Sequence, residues 1–184
     1  GNMGSGHAGR IVKGDCPDFV LTAVADINPA RIQWGKENLT GEITYFDDAI
    51  EMLDSGLIEA CLIAVPHYDH PTLAIMAFEY GLNVLVEKPA GVYTKQVIEM
   101  NEAAKKSGKV FGLMFNQRTN PMYIKAKQMV ENGELGALKR CIWIITDWYR
   151  TQQYYDSGSW RATWEGEGGG VLINQLLGKP GYEI

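Results

Sequence analysis

The chain has 184 residues, 46% hydrophobic and 21% charged, which is the composition of a globular protein with one full domain and part of another. Its formal charge of -5, with 17 Lys and Arg against 22 Asp and Glu and no basic cluster, argues against a nucleic-acid or anionic-membrane partner and leaves a small molecule. Cys16, Cys61 and Cys141 are widely spaced without a CxxC pair, no apolar run reaches the roughly 18 residues of a membrane span, and no basic-then-apolar leader precedes the first strand, so neither a disulfide framework nor export is indicated and a reducing cytoplasm is expected.

The chain opens on GNMGSGHAG, a glycine-rich start to a helix expected to run to about Lys13. Two readings compete. Gly4, Gly6 and Gly9 form a literal G-x-G-x-x-G, with Asp26 at about the distance of a ribose-binding acid. Alternatively, Gly1 and Gly4 are the second and third glycines of a motif whose first glycine and preceding strand lie outside the sequence. If Gly4 began the turn, Gly9 would sit inside the helix, where glycine costs about 0.5–1 kcal/mol relative to Ala, so the second reading is favoured. Either way the first strand is missing.

Next, the aliphatic run Phe19–Asp26 reads as a strand buried on both faces of a parallel sheet. Asn28 is a good N-cap and Pro29 suits a first helical position. A short strand at Ile43–Phe46, a helix at Asp47–Leu53, a strand at Glu59–Val65 and a helix at His70–Tyr80 ended by Gly81 follow. The alternation continues through a strand Asn83–Glu87, a helix Tyr93–Ser107 stopped by Gly108, and a strand Lys109–Phe115. This rhythm predicts a doubly wound parallel sheet of Rossmann type, with its ligand beyond the carboxyl ends of the strands. After Asn116 the texture changes. A helix Pro121–Glu131 and a turn at Gly133–Gly136 lead into a long strand Leu138–Tyr149, taken as the first of a second domain; the expected division is 1–118 and 119–184.

Three places carry chemistry. Asp26 ends its strand with a carboxylate able to accept both ribose hydroxyls of NAD; a 2′-phosphate at ~4 Å would meet a repulsion of up to about 4 kcal/mol before screening at an effective dielectric of ~20. NAD is therefore expected over NADP. In AVPHYDH, Pro66 stops a buried strand where a helix start offers free N–H groups; His67 and His70 lack a third ligand nearby, so no metal is expected. In Glu87-Lys88-Pro89 a lysine stands at the carboxyl end of another buried strand, at the mouth of the expected crevice, with Glu87 available to orient it.

Together these pieces resemble the glucose-fructose oxidoreductase, inositol dehydrogenase and rhizopine-catabolism protein family, Gfo/Idh/MocA. GNMGSGH resembles the family's G-x-x-G-x-x-H, ADINPAR its ribose-binding turn, AVPHYDH its P-x-x-x-H loop and EKPAG its lysine motif, with FNQR, GSWRA and GGGVLIN following in the family order. The resemblance implies a Rossmann domain followed by an α/β domain whose open antiparallel sheet shapes the substrate pocket and the interface of a homo-oligomer, dimer or tetramer. It implies cofactor contacts from Gly1, Asn2, Met3, Gly4, Asp26, Ile27, Arg31, Ala64, Val65, Pro66, His67, His70, Glu87, Lys88, Asn116 and Gln117. Lys88 and Asn174 would be catalytic, Tyr149, Trp160 and Arg161 would join them on the substrate, and Lys88-Pro89 would be cis.

One departure stands out. Relatives place a His, the presumed general base, four residues beyond the position of Asn174; here Gly178 stands there, and the tail LLGKPGYEI reads as unrelated to the family, as in a truncated or frame-shifted product. The function the resemblance implies is NAD-dependent hydride transfer at a carbinol of a sugar, inositol or related polyol, with little turnover by this chain itself. NAD-dependent glycoside hydrolysis on the same fold and a non-catalytic NAD-binding subunit are the alternatives.

Overall fold

In the computed structural model the described residues are 1–140, 142, 144, 149–158, 160–170 and 173. Helix α1 spans Asn2–Val12, followed by strand β1 at Ala23–Ala25, helix α2 at Pro29–Asn38, β2 at Thr44–Phe46 and α3 at Ala49–Asp54. Strand β3 (Ala60–Ile63) leads through a 3₁₀ turn at His67–Asp69 into α4 (His70–Glu79), and β4 (Asn83–Glu87), α5 (Thr94–Ser107) and β5 (Phe111–Met114) follow. Beyond a second 3₁₀ turn at Asn116–Thr119 come α6 (Pro121–Glu131), α7 (Gln152–Asp156) and α8 (Trp164–Glu167).

Local chemistry sets the helix ends. Asn28 accepts the N–H of Ala30 at 2.9 Å with Pro29 in the first turn, and Asp48 and Asn120 do the same for Ile50 and Met122. Gly108 ends α5 with a φ of 67°, a left-handed conformation that only glycine adopts without strain.

Among the described residues all strand pairs are parallel, as the alternation of strands and helices predicts. Among the described residues the strands form two sheets, β1-β2 and β3-β4-β5, with a break in pairing between β1 and β3. That break is where the strand expected ahead of Gly1 would lie in a doubly wound order, and among the described residues no strand occupies it. The strand expected over Phe19–Asp26 is ordered only at Ala23–Ala25, while Phe19 and Val20 are 61% and 83% exposed.

The core sits on the three-stranded sheet: Cys61, Ile63, Val84 and Val86 pack with Ala74, Ala77 and Phe78 of α4 and Met100 and Ala104 of α5. Burial pushes the Cys61 thiol up to about 11, so it is a packing residue rather than a nucleophile. Of the long strand expected over Leu138–Tyr149, residues 138–140, 142, 144 and 149 lie outside any regular element, and the others fall outside the described residues.

Candidate active site

Helix α1 begins at Asn2 with Gly1 as its N-cap, so Gly4, Gly6 and Gly9 all lie within it. The literal G-x-G-x-x-G reading is thereby displaced by the reading in which Gly1 and Gly4 lead into the helix. No side chain caps α1, which leaves its first-turn amides facing outward. The nitrogen of Gly1 lies 2.8 Å from Asp26 Oδ2, while Asp26 Oδ1 accepts the N–H of Asn28 at 3.0 Å. Arg31 Nη2 donates to Asn2 Oδ1 at 2.8 Å, and Ile27, beside the acid, is 89% exposed. Gly1, Asn2, Asp26, Ile27 and Arg31 thus gather at one helix end, and Gly4 backs onto Ala64, with an added Cβ at ordinary contact, 3.7 Å.

Six residues along α1, about 9 Å at 1.5 Å per residue, His7 reaches the end of β4. Its Nε2 lies 2.6 Å from Oε1 of the buried Glu87, whose Oε2 accepts the backbone N–H of Lys88 at 3.2 Å. Both oxygens of Glu87 are therefore engaged, one by the His7 ring and one by the backbone N–H of Lys88. The Lys88-Pro89 bond is cis. Burial holds the Lys88 ammonium below its usual range; the charges of Glu87 and Glu167 push it back up, and those of Arg150 and Arg161 push it further down.

The loop after β3 faces the second region of the chain. His67 is buried, its Nδ1 lies 3.1 Å from the carbonyl oxygen of Glu167, and its ring meets Trp160 edge-on at 5.3 Å. Burial lowers its pKa; neighbouring His70 and Lys88 act in the same direction, against the contact with Glu167. His70 was expected among the cofactor contacts, but it is 1% exposed and its two ring nitrogens lie 2.7 Å from Pro89 O and 2.9 Å from Val65 O. The ring thereby joins the loops that follow β3 and β4. Val65 and Pro66 are exposed beside it.

Arg161 donates to Tyr154 Oη at 2.6 Å and stacks over Trp160 at 4.6 Å, which holds its charge in the neighbourhood of Lys88. Asn116 and Gln117 lie in the turn beyond β5, Tyr149 is 86% exposed, and Asn174 falls outside the described residues. Sequence reasoning assigned no role to His7 or to Glu167, a buried carboxylate whose charge acts on Lys88. His7 was legible in the GNMGSGH motif once the helix start was settled, because position 7 lies on the second turn; Glu167 carried no comparable signal. Among the described residues, no three His, Cys, Asp or Glu side chains converge as a metal site would require.

An uncapped helix start beside the Asp26 carboxylate suits the two halves of a dinucleotide: amides for pyrophosphate and an acceptor for ribose hydroxyls. Residues 1–115 match the model described as the oxidoreductase family with NAD-binding Rossmann fold, and residues 123–177 match the GFO/IDH/MocA C-terminal domain. The chain belongs to the GFO/IDH/MocA oxidoreductase family. It is 30% identical to the myo-inositol 2-dehydrogenase of Thermotoga maritima over 136 residues, 74% of this chain and 40% of that protein. To the scyllo-inositol 2-dehydrogenase (NAD(+)) of Bacillus subtilis it is 29% identical, covering 74% of this chain and 39% of the relative.

Among solved structures, the WlbA dehydrogenase of Bordetella pertussis in complex with NADH and UDP-GlcNAcA superposes with a TM-score of 0.84 at 25% identity, over 97% of this chain and 50% of that one. The scyllo-inositol dehydrogenase of Lactobacillus casei with bound NAD(H) and scyllo-inositol gives a TM-score of 0.69 at 28% identity, over 74% of this chain and 40% of that one. The chain thus spans about half or less of the length of the relatives it matches. No helix among the described residues is long and apolar enough to cross a membrane.

Proposed function

We propose that this GFO/IDH/MocA chain is the cofactor-binding part of an NAD-dependent dehydrogenase that acts on a carbinol of a sugar, inositol or related polyol. What carries the reading is the placement of Asp26 and Lys88 just beyond the carboxyl ends of β1 and β4, both served by α1, whose Asn2 is bonded to Arg31 and whose His7 lies 2.6 Å from Glu87. The nicotinamide, when bound, supplies the hydride acceptor at C4. Asp26 receives the ribose hydroxyls, and the α1 amides of Asn2, Met3 and Gly4 receive the pyrophosphate. Lys88 donates a hydrogen bond to the reacting oxygen and polarises the C–O bond; such acid–base assistance contributes about 10²–10⁴-fold. Its depressed proton affinity suits a donor beside a second cation, Arg161.

Residues 1–118 form the cofactor domain in this reading, and residues 119–184 begin the domain that shapes the substrate pocket and joins the subunits of a homo-oligomer. Asn174 and the position of Gly178 belong to the proton-accepting side of the pocket. With glycine at 178, this chain binds cofactor and turns over little. A reducing, cytoplasmic setting suits the free Cys16 and Cys61.

The neighbour aligned over the largest share of this chain among those named above was solved with a nucleotide-linked sugar, so UDP-sugars belong beside inositols in any substrate panel. The test is a fluorescence titration of the 184-residue chain with NADH and NADPH, followed by NAD⁺ with the panel. Saturable NADH binding with weaker NADPH binding and negligible NADH production is the expected result; tighter NADPH binding overturns the cofactor assignment. Gly178 also favours a second reading, a cofactor-binding protein without catalysis. It prevails if the complete protein binds NADH yet oxidises nothing in the panel.

A further inference from the structure

His7 and Glu87 form a sheltered link between α1 and β4: the two side chains are 17% and 8% exposed and meet at 2.6 Å. A carboxylate so far from water needs donors on both oxygens, and Glu87 has them in the His7 ring and the Lys88 backbone N–H. The links from Asn2 and Gly1 to Arg31 and Asp26, by contrast, are exposed.

We propose that His7 is a positioning residue for Lys88. By holding the Glu87 carboxylate toward α1 it keeps that charge from closing on the lysine ammonium, and it ties the helix that meets the cofactor to the strand end that meets the substrate. The inference rests on the reading of Lys88 as the group that meets the reacting oxygen.

Among the described residues, the charged and titratable groups that act on Lys88 are Glu87 on β4, Glu167 on α8, His67 in the turn after β3, and Arg150 and Arg161. Substituting His7 leaves all of these in the chain and alters only the hold on Glu87. The experiment is the pH dependence of Lys88 acylation by a limiting amine reagent, followed by mass spectrometry on the 184-residue chain. Released from His7, the Glu87 carboxylate turns to the ammonium, so His7→Leu raises the labelling midpoint by about half a unit or more. His7→Gln, which keeps a donor within reach, restores the wild-type midpoint. Glu87→Gln removes the attracting charge and lowers it.

Should His7→Leu fold poorly, His7→Asn, polar but too short to reach Glu87, gives the same upward shift. A packing role alone would change the melting temperature and leave the midpoint in place. An unmoved midpoint in His7→Leu and His7→Asn, equal shifts in His7→Gln and His7→Leu, or an upward shift in Glu87→Gln each overturn the proposal. The titration needs no cofactor, so a chain that fails to bind NADH refutes the proposed function by a separate measurement.

Discussion

The two sheets are built from similar aliphatic sequence and end in different environments. In β4, Val84 and Val86 are 3% and 0% exposed, because β3 and β5 flank the strand and α4 and α5 cover it. In β1, Ala23, Val24 and Ala25 are all half-buried, with β2 on one side and no described strand on the other. The lesson is that an apolar strand is buried by its neighbours and not by its own composition. The site straddles this division, with Asp26 contributed by the open half and Glu87 and Lys88 by the packed half, and α1 reaching both.

The largest expected effect tests the division directly. Met100→Ala, in a side chain with no exposed surface, costs about 2–5 kcal/mol in urea unfolding, because the packed half cannot collapse onto the void. Val24→Ala in the open half costs about 1 kcal/mol, since part of that side chain already meets solvent. Equal losses at the two sites would erase the contrast.

The open half is also where cofactor choice is expected to reside. Asp26→Ala removes the like charge that a 2′-phosphate would meet, and the ratio of NADPH to NADH affinity rises about tenfold, or about 1.4 kcal/mol. Parallel titrations of wild type and variant measure it. An unchanged ratio would move the discrimination elsewhere, Arg31 being the adjacent candidate through its bond to Asn2.

Much of this was legible beforehand, and unevenly so. The β4, α5 and α6 boundaries follow from strong local signals: an aliphatic run, a glycine stop with positive φ, and an Asn-Pro start. The Phe19–Val20 end of β1 was overestimated because sequence records a strand's hydrophobicity but not whether a neighbour is there to cover it. Asp26 and Lys88 stood out because each follows an apolar run. His7 and Glu167 did not, because their meaning depends on partners 80 residues away in one case and on burial in the other. The two backbone carbonyls against the ring nitrogens of His70 were equally beyond the sequence, because Val65 and Pro89 meet it only through the fold.

A smaller effect tests how rigid the packed half is at its rim. Gly108→Ala forces a Cβ into the left-handed conformation that ends α5 and costs about 1 kcal/mol. Space is not the obstacle, since nothing lies within 4 Å of an added Cβ there. A neutral substitution would mean that the α5 end relaxes at no cost.

The smallest effect is a slope rather than an offset. Burial holds Lys88 below its ordinary value of 10.5, so between the folded value and 10.5 the unfolded chain binds more protons than the folded one. Stability from this group is therefore lowest near neutrality and rises as the pH climbs toward 10.5. Lys88→Met removes the titration while keeping most of the volume, so urea midpoints of wild type should gain on those of the variant as the buffer is made more alkaline. The opposite trend would mean that the carboxylates of Glu87 and Glu167 outweigh burial and hold the ammonium charged in the fold. Lys88 would then belong electrostatically with Asp26, as a solvated group at the rim of the crevice, and the contrast between the two halves would stop at the core.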